Sequence, residues 1–205
     1  FKSRRKNKTS IEAIQVKSSL KVITNPTMDV IIPTIGRKTY LYDVLKDLAQ
    51  QTHLPVHVII VEQNPQEGSL SELDYIYNEI WPFVIKHTFT HQAGACNARN
   101  LAMSEVESEW VFLSDDDIKF EPDLIEKVFK GIEQYGVVCL STLCLQVNEP
   151  KPNLQIHQTT IFGSGSSCLK ANLLKKVSFD KCLEFGYGED ADFGLQLRNL
   201  GVDVV

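Results

Sequence analysis

Glu109-Trp110-Val111-Phe112-Leu113-Ser114-Asp115-Asp116-Asp117 is an apolar run that ends in three consecutive carboxylates. Residues 110–113 are aromatic, β-branched or aliphatic, the composition of a strand covered on both faces. Three adjacent acids repel one another, and burying any of them unpaired is costly. They are therefore either solvated in a turn or neutralised by a cation. At the carboxyl end of a central strand in an open α/β sheet, the next loop faces a ligand crevice. A hard divalent cation takes one or two carboxylates and fills its shell with water and substrate phosphate. The plainer alternative is an acidic turn before a helix whose first position is Pro122. This stretch alone leaves both open.

Upstream, apolar strands at 28–33, 56–61 and 83–89 alternate with helical patterns. Leu41, Val44, Leu45 and Leu48 fall at i, i+3, i+4 and i+7, one buried helix face. Ser69 with Glu72 has the form of a capping box, predicting a helix buried through Leu73, Ile76, Tyr77 and Ile80. A third helix spans 94–106. Strand–helix repetition of this kind predicts a mostly parallel sheet with helices on both faces and right-handed crossovers. Downstream, Ile125, Val128, Phe129 and Ile132 mark another helix. Strands are expected at 137–145 and 156–162, with a loop at 148–153 between them. The Gly163-Ser164-Gly165-Ser166-Ser167 run lacks the lysine of a P-loop and reads as a loop near a sugar or acceptor. A short helix is expected at 173–177. The last helix starts near Glu189, buries Phe193, Leu197 and Leu200, and stops at Gly201.

The chain has 205 residues, 43% hydrophobic and 23% charged, with a formal net charge of -5. That is one sizeable core, and nothing global points to nucleic acid. Lys2, Arg4, Arg5, Lys6 and Lys8 crowd a polar extension, 1–27, which is either a solvated tail or a contact for an anionic membrane face. The Phe1 start and the apolar 202–205 end are expected of a piece of a longer protein. Five cysteines without paired close spacing suggest reduced thiols in a cytosolic setting. No run is long enough to span a bilayer. His53, His57, His87, His91 and His157 offer no metal-ligand spacing.

Four constellations can carry chemistry. Besides the triplet, Gly188-Glu189-Asp190-Ala191-Asp192 opens the last helix, where acids satisfy free backbone N–H groups and complement the dipole. The same field would hold Asp190 ionised, as a general base requires. Gly94, Asn97, Arg99 and Asn100 cluster at another helix start, a plausible phosphate site. Loops 33–37 and 62–65 follow the first two strands and should face the same crevice as the triplet.

Together these residues resemble a family 2 glycosyltransferase of the GT-A fold, across nearly all of 28–205. The resemblance rests on Asp29-Val30-Ile31-Ile32-Pro33-Thr34, on Gly94 with Ala98-Arg99-Asn100, on Asp115-Asp116-Asp117 with Pro122, on Phe179-Asp180, and on Gly188-Glu189-Asp190-Ala191-Asp192-Phe193. It implies an α/β GT-A fold with a nucleotide-sugar half at 28–117 and an acceptor half at 118–205, truncated at its end. The implied reaction moves a sugar, with inversion, from a nucleotide diphosphate donor to an acceptor hydroxyl, in polysaccharide or other glycan synthesis. Asp115 and Asp117 would be the outer acids of a DXD motif holding Mn²⁺ or Mg²⁺. Asp190 would be the base, and Glu189 would position the acceptor. Pro33, Thr34, Arg37, Glu62, Gln63, Gly94, Arg99, Asp115 and Asp116 would hold the donor. The family's paired aspartates after the second strand are Glu62 and Gln63 here, so UDP is favoured while GDP and dTDP stay open. The implied acceptor is a glycan or lipid-linked molecule, met in the cytoplasm or at the inner face of the membrane. The alternatives are a non-catalytic nucleotide-sugar-binding domain of a larger polymerase and a sugar-phosphate nucleotidyltransferase, the latter needing a richer loop than Thr34-Ile35-Gly36-Arg37. A haloacid-dehalogenase-type phosphatase would carry its acids after the first strand, not the fourth.

Overall fold

The computed structural model describes residues 25–146, 149–150, 157–159, 162–185 and 187–205. In chain order the elements are β1 (Met28–Ile35), α1 (Lys38–Ala49), β2 (His57–Gln63), α2 (Tyr75–Asn78), β3 (Val84–Thr90), α3 (Ala95–Ser104), β4 (Trp110–Ser114), α4 (Leu124–Tyr135), β5 (Cys139–Ser141), β6 (Ser166–Lys170) and α5 (Glu189–Asn199). Short 3-10 turns lie at Ala171–Lys175 and Lys181–Leu183.

The strands form one sheet in the order β3-β2-β1-β4-β6-β5. The first four are parallel, while β6 runs antiparallel to both β4 and β5. The chain steps outward from β1 to β3, then returns to the other side of β1 with β4. Strand order therefore reverses between β1 and β4, which places a crevice at their carboxyl ends.

The sequence of the central strands explains the layering. In β1, Val30 and Ile32 face a core made with Leu41, Val44, Leu45, Leu48, Ile125 and Val128 of α1 and α4. Ile31 faces the opposite core, with Ala98 and Ala102 of α3 and Phe193 and Leu197 of α5. β4 divides in the same way, Trp110 and Phe112 to one side, Val111 and Leu113 to the other. Burying one such side chain contributes roughly 1.5–3 kcal/mol, so two-sided strands at the centre hold both layers.

Several sequence expectations shift. The capping box is absent: the Ser69 hydroxyl donates to the Gln66 carbonyl at 2.7 Å, and the Glu72 amide donates to buried Glu62 at 2.9 Å. α2 is a single turn, with Leu73 and Ile76 buried but Tyr77 and Ile80 exposed. Pro122 precedes α4 rather than opening it, and its carbonyl accepts the Thr52 amide at 2.9 Å. β5 is only three residues long. The glycine- and serine-rich run is a turn followed by the start of β6, not a free loop. Leu200 is exposed at the end of α5. Most of the loop at 148–153, several residues of the 156–162 strand, and the basic run at the start of the chain lie outside the described residues, although Thr159 bridges Val204. Cys96, Cys139 and Cys168 are buried, Cys144 and Cys182 exposed, and all five are free thiols. No helix among the described residues is long and apolar enough to cross a membrane.

At the amino ends of the strands, fully buried Asp29 gathers four donors. Its oxygens accept the Ser108 hydroxyl at 2.6 Å, the Glu107 and Ser108 amides at 2.8 and 3.1 Å, and pair with His57 Nδ1 at 2.8 Å. Burial alone pushes this carboxyl up, yet those donors together bring it below the ordinary 3.8. Asp29→Asn, which turns an NH₂ toward some of these donors, is expected to cost about 2 kcal/mol in urea unfolding at neutral pH. A depressed folded pKa gives stability that is present above the unfolded value and lost as pH falls through the folded one. The urea midpoints of the two proteins should therefore converge as the pH is taken below 3.8.

Candidate active site

The acidic triplet emerges from β4 at the switch point, and each carboxylate meets a different neighbour. Asp115 Oδ1 accepts from Arg99 Nη2 at 2.9 Å. Buried Asp116 accepts the Thr34 hydroxyl at 2.6 Å through Oδ2 and Arg37 Nη1 at 3.2 Å through Oδ1. Exposed Asp117 takes the same Arg37 Nη1 at 2.6 Å. Burial pushes the Asp116 carboxyl above 3.8, with Thr34 and Arg37 opposing. The end of β1, the loop behind it and α3 thus each supply one counter-group.

Thr34 and Arg37 also line a narrow cleft with Gly36, Glu62, Gln63 and Asn64, so the loops after β1 and β2 do converge. Pro33 lies in β1 opposite Val61. Within the cleft wall, Glu62 is already engaged, accepting the Glu72 amide and pairing with His87 Nε2 at 3.0 Å. His87 Nδ1 in turn meets the Tyr77 hydroxyl at 2.7 Å. Gln63 uses its amide oxygen to accept the Gly94 amide at 2.6 Å, leaving the NH₂ as its donor.

The start of α3 differs from a vacant phosphate site. Glu184 occupies it, accepting the Asn97 amide at 3.0 Å. Gly94 stands before it at φ 143, and a Cβ there would overlap the Glu184 carboxylate. Asn100 is likewise structural, exchanging two hydrogen bonds with the Phe179 backbone at 2.8 and 2.9 Å. Arg99 is buried, packs over the Phe179 ring at 5.4 Å, and its Nε and Nη1 have no partner among the described residues.

The last constellation approaches through one turn. The Ser164 amide donates to Asp190 Oδ1 at 3.3 Å, and the Gly165 carbonyl accepts the Asp115 amide at 3.2 Å. A Cβ on Gly165 would run into the Asp115 carboxylate. Asp190 and the triplet are therefore tied to adjacent residues of the same turn. Glu189 is the first residue of α5 beside it, behind Gly188. Glu189, Asp190 and Asp192 stand in the first turn of α5, where acids complement the dipole, but the cap is Gly188 and no side chain makes a capping bond. Burial lifts Asp190 above 3.8, resisted by Ser164 and by the charge of Arg99. Glu184, Ser164 and His87 were not singled out from sequence. Only the glycine- and serine-rich composition around Ser164 gave a signal.

A family model described as Glycosyl transferase family 2 matches residues 29–181. The chain belongs to glycosyl transferase family 2. A relative from Haemophilus influenzae, described as an uncharacterized glycosyltransferase, is 33% identical over 125 residues, 60% of this chain and 41% of its own length. The chain thus spans about two-fifths of the curated relatives it matches first. Among solved structures, S. aureus TarS 1-349 in complex with UDP has a TM-score of 0.68 at 18% identity, covering 87% of this chain and 57% of that one. Mannosyltransferase PcManGT from Pyrobaculum calidifontis, in complex with GDP-Man and Mn²⁺, has a TM-score of 0.64 at 18% identity, covering 89% and 55%. At this identity the likeness speaks to fold, and the fold is of the GT-A type.

As the side chains stand, no group of three or more His, Cys, Asp or Glu is set around a metal among the described residues. The donor set still suits a hard cation, since Asp117 is an exposed carboxylate and Asp115 has one oxygen bonded to Arg99. Such ions use one or two carboxylates and take further oxygens from substrate phosphate.

Gly94→Ala is expected to destabilise the protein by about 1–3 kcal/mol in denaturant unfolding, from a strained φ and a displaced Glu184. Glu184→Gln, which keeps the shape of the cap, should cost less than half as much.

Proposed function

We propose that this family member transfers a sugar, with inversion, from a nucleoside diphosphate donor to an acceptor hydroxyl. The observation that carries the reading is the Ser164–Gly165 turn, which joins Asp190 on one side to Asp115 on the other. A base and a charge-binding acid held by adjacent residues suit attack on one side of a bond and departure on the other.

In this reading the cleft lined by Thr34, Arg37, Glu62 and Gln63 takes the nucleoside, with Pro33 just before Thr34 in β1. The Gln63 NH₂ faces a base carbonyl, which uracil and guanine both offer. UDP is favoured, in keeping with the UDP complex of the TarS structure; the GDP-Man complex of the mannosyltransferase keeps GDP in view. Asp115 and Asp117 would hold Mn²⁺ or Mg²⁺, which supplies Lewis-acid charge to the diphosphate when bound. Asp116 holds the turn to Thr34, and Gly94 fixes Gln63. Asp190 accepts the acceptor hydroxyl's proton as oxygen attacks the anomeric carbon, and Glu189 orients that hydroxyl. Burial raises the proton affinity of Asp190, which improves it as a base, while Arg99 keeps it ionisable. Residues 28–117 then form the donor half and 118–205 the acceptor half. A glycan or lipid-linked acceptor in polysaccharide synthesis, at the cytoplasmic face of a membrane, completes the proposal.

Calorimetric titration of UDP, GDP and dTDP with and without Mn²⁺ tests the donor site. Metal-dependent binding of one nucleotide, lost in Asp117→Asn, is the expected result, and no binding of any nucleotide would overturn the reading. Asp190→Asn is expected to leave nucleotide binding intact and lower kcat by about 10²–10⁴-fold. Because the base acts ionised and its pKa is raised, kcat/KM of the wild type should fall on the acid side at a pH above 3.8.

A further inference from the structure

The triplet's two arginines are held very differently. Arg99 has 8% of its side chain exposed, contacts one carboxylate, and packs over Phe179. Arg37 is 49% exposed, and a single nitrogen, Nη1, touches both Asp116 and Asp117. Asp116 is pinned from its other side by the Thr34 hydroxyl, whereas Asp117 is 44% exposed. One positive atom thus bridges two carboxylate oxygens, as a small cation does. A guanidinium stays charged at any working pH.

We propose that Arg37 is a displaceable counter-ion. Its nitrogen holds Asp117 beside Asp116; a divalent cation, which Asp115 and Asp117 would hold, competes with it for Asp117, and on loading it moves from Asp117 to the donor diphosphate. This rests on the donor-site reading above and assigns Arg37 a positioning role within it. The exchange is physically cheap. An exposed ion pair is weak, so a divalent ion displaces Arg37 from Asp117 at the cost of only a few-fold in affinity. The freed guanidinium already lines the nucleoside cleft beside Thr34, Glu62 and Gln63, and its planar fork matches phosphate oxygens. Without Arg37, Asp117 would face Asp116 with no counter-charge between them. The arginine therefore keeps the turn in shape until metal and donor arrive together.

The test compares the wild type with Arg37→Met and Arg37→Lys. Free Mn²⁺ is read by electron paramagnetic resonance without nucleotide, and UDP binding by calorimetry at saturating Mn²⁺. Displacement requires opposite shifts in Arg37→Met: Mn²⁺ alone binds about two- to five-fold tighter, because its competitor is gone. UDP binds at least about ten-fold weaker, because a charged hydrogen bond to phosphate is lost. Arg37→Lys should fall between wild type and Arg37→Met in both readouts. Mn²⁺ affinity that is unchanged or lower in Arg37→Met overturns the proposal, as does unchanged UDP affinity. If both affinities fall together in Arg37→Met, Arg37 merely supports the loop, and the donor site stands without the exchange. Wild-type protein that takes up neither Mn²⁺ nor UDP overturns the donor-site reading and the proposal with it.

Discussion

Three carboxylates in a row at the end of a strand buried on both faces need cations or donors from elsewhere in the chain. Asp115, Asp116 and Asp117 draw theirs from the end of β1, from the loop behind it and from α3. The separations run from 16 to 82 residues. Each answer is different in strength. Arg99 is buried and fixed, Thr34 is a short neutral donor, and Arg37 is half in water. Unpaired, a buried carboxylate costs several kcal/mol, so the triplet tolerates few alternative arrangements of its neighbours. The crevice has its shape because the acids must be satisfied.

The two ends of the sheet handle acids in opposite ways. Asp29, at the amino ends, is more deeply buried than any member of the triplet, yet its pKa is lowered because four donors converge on it. Asp116 and Asp190, at the carboxyl ends, have fewer donors, and burial prevails. A carboxylate with surplus donors is a rivet between β1, β2 and the turn before β4. A carboxylate short of donors is the easier one to protonate. The same residue type therefore carries opposite pKa shifts at the two ends of the sheet.

The central strands, α1, α3 and α5 were legible because their signals are local. Leu41, Val44, Leu45 and Leu48 are all buried as their spacing implies. The order of motifs from Pro33 through Asp190 identified the family. What was not legible depends on partners far along the chain. α2 shrinks because Glu62 takes the Glu72 amide, which no capping rule contains. The start of α3 is filled by Glu184, 87 residues away, so a helix terminus that looked open to phosphate is not. Pro122 sits outside α4 because its carbonyl is committed to Thr52. Gln63 is legible as a departure from the family's aspartate, but not as the group that fixes Gly94. In each case a tertiary bond overrode what the local pattern implied.

The register of β6 on β4 sets the remaining geometry. Ser114 pairs with Ser166 and Leu113 with Ser167, so the turn at Ser164–Gly165 arrives directly beside Asp115. In an antiparallel pair a one-residue slip would turn every β6 side chain to the other face. Such a slip would carry Leu169 from the α3–α5 core into the opposite core, where Cys168 now packs. The fit of these two side chains to their separate cores resists the slip. In doing so it fixes how far Asp190 stands from the triplet. Core packing on a short strand thus settles the distance between an acid on α5 and the acids that follow β4. Gly165 completes the constraint, since any side chain there would occupy the space of the Asp115 carboxylate.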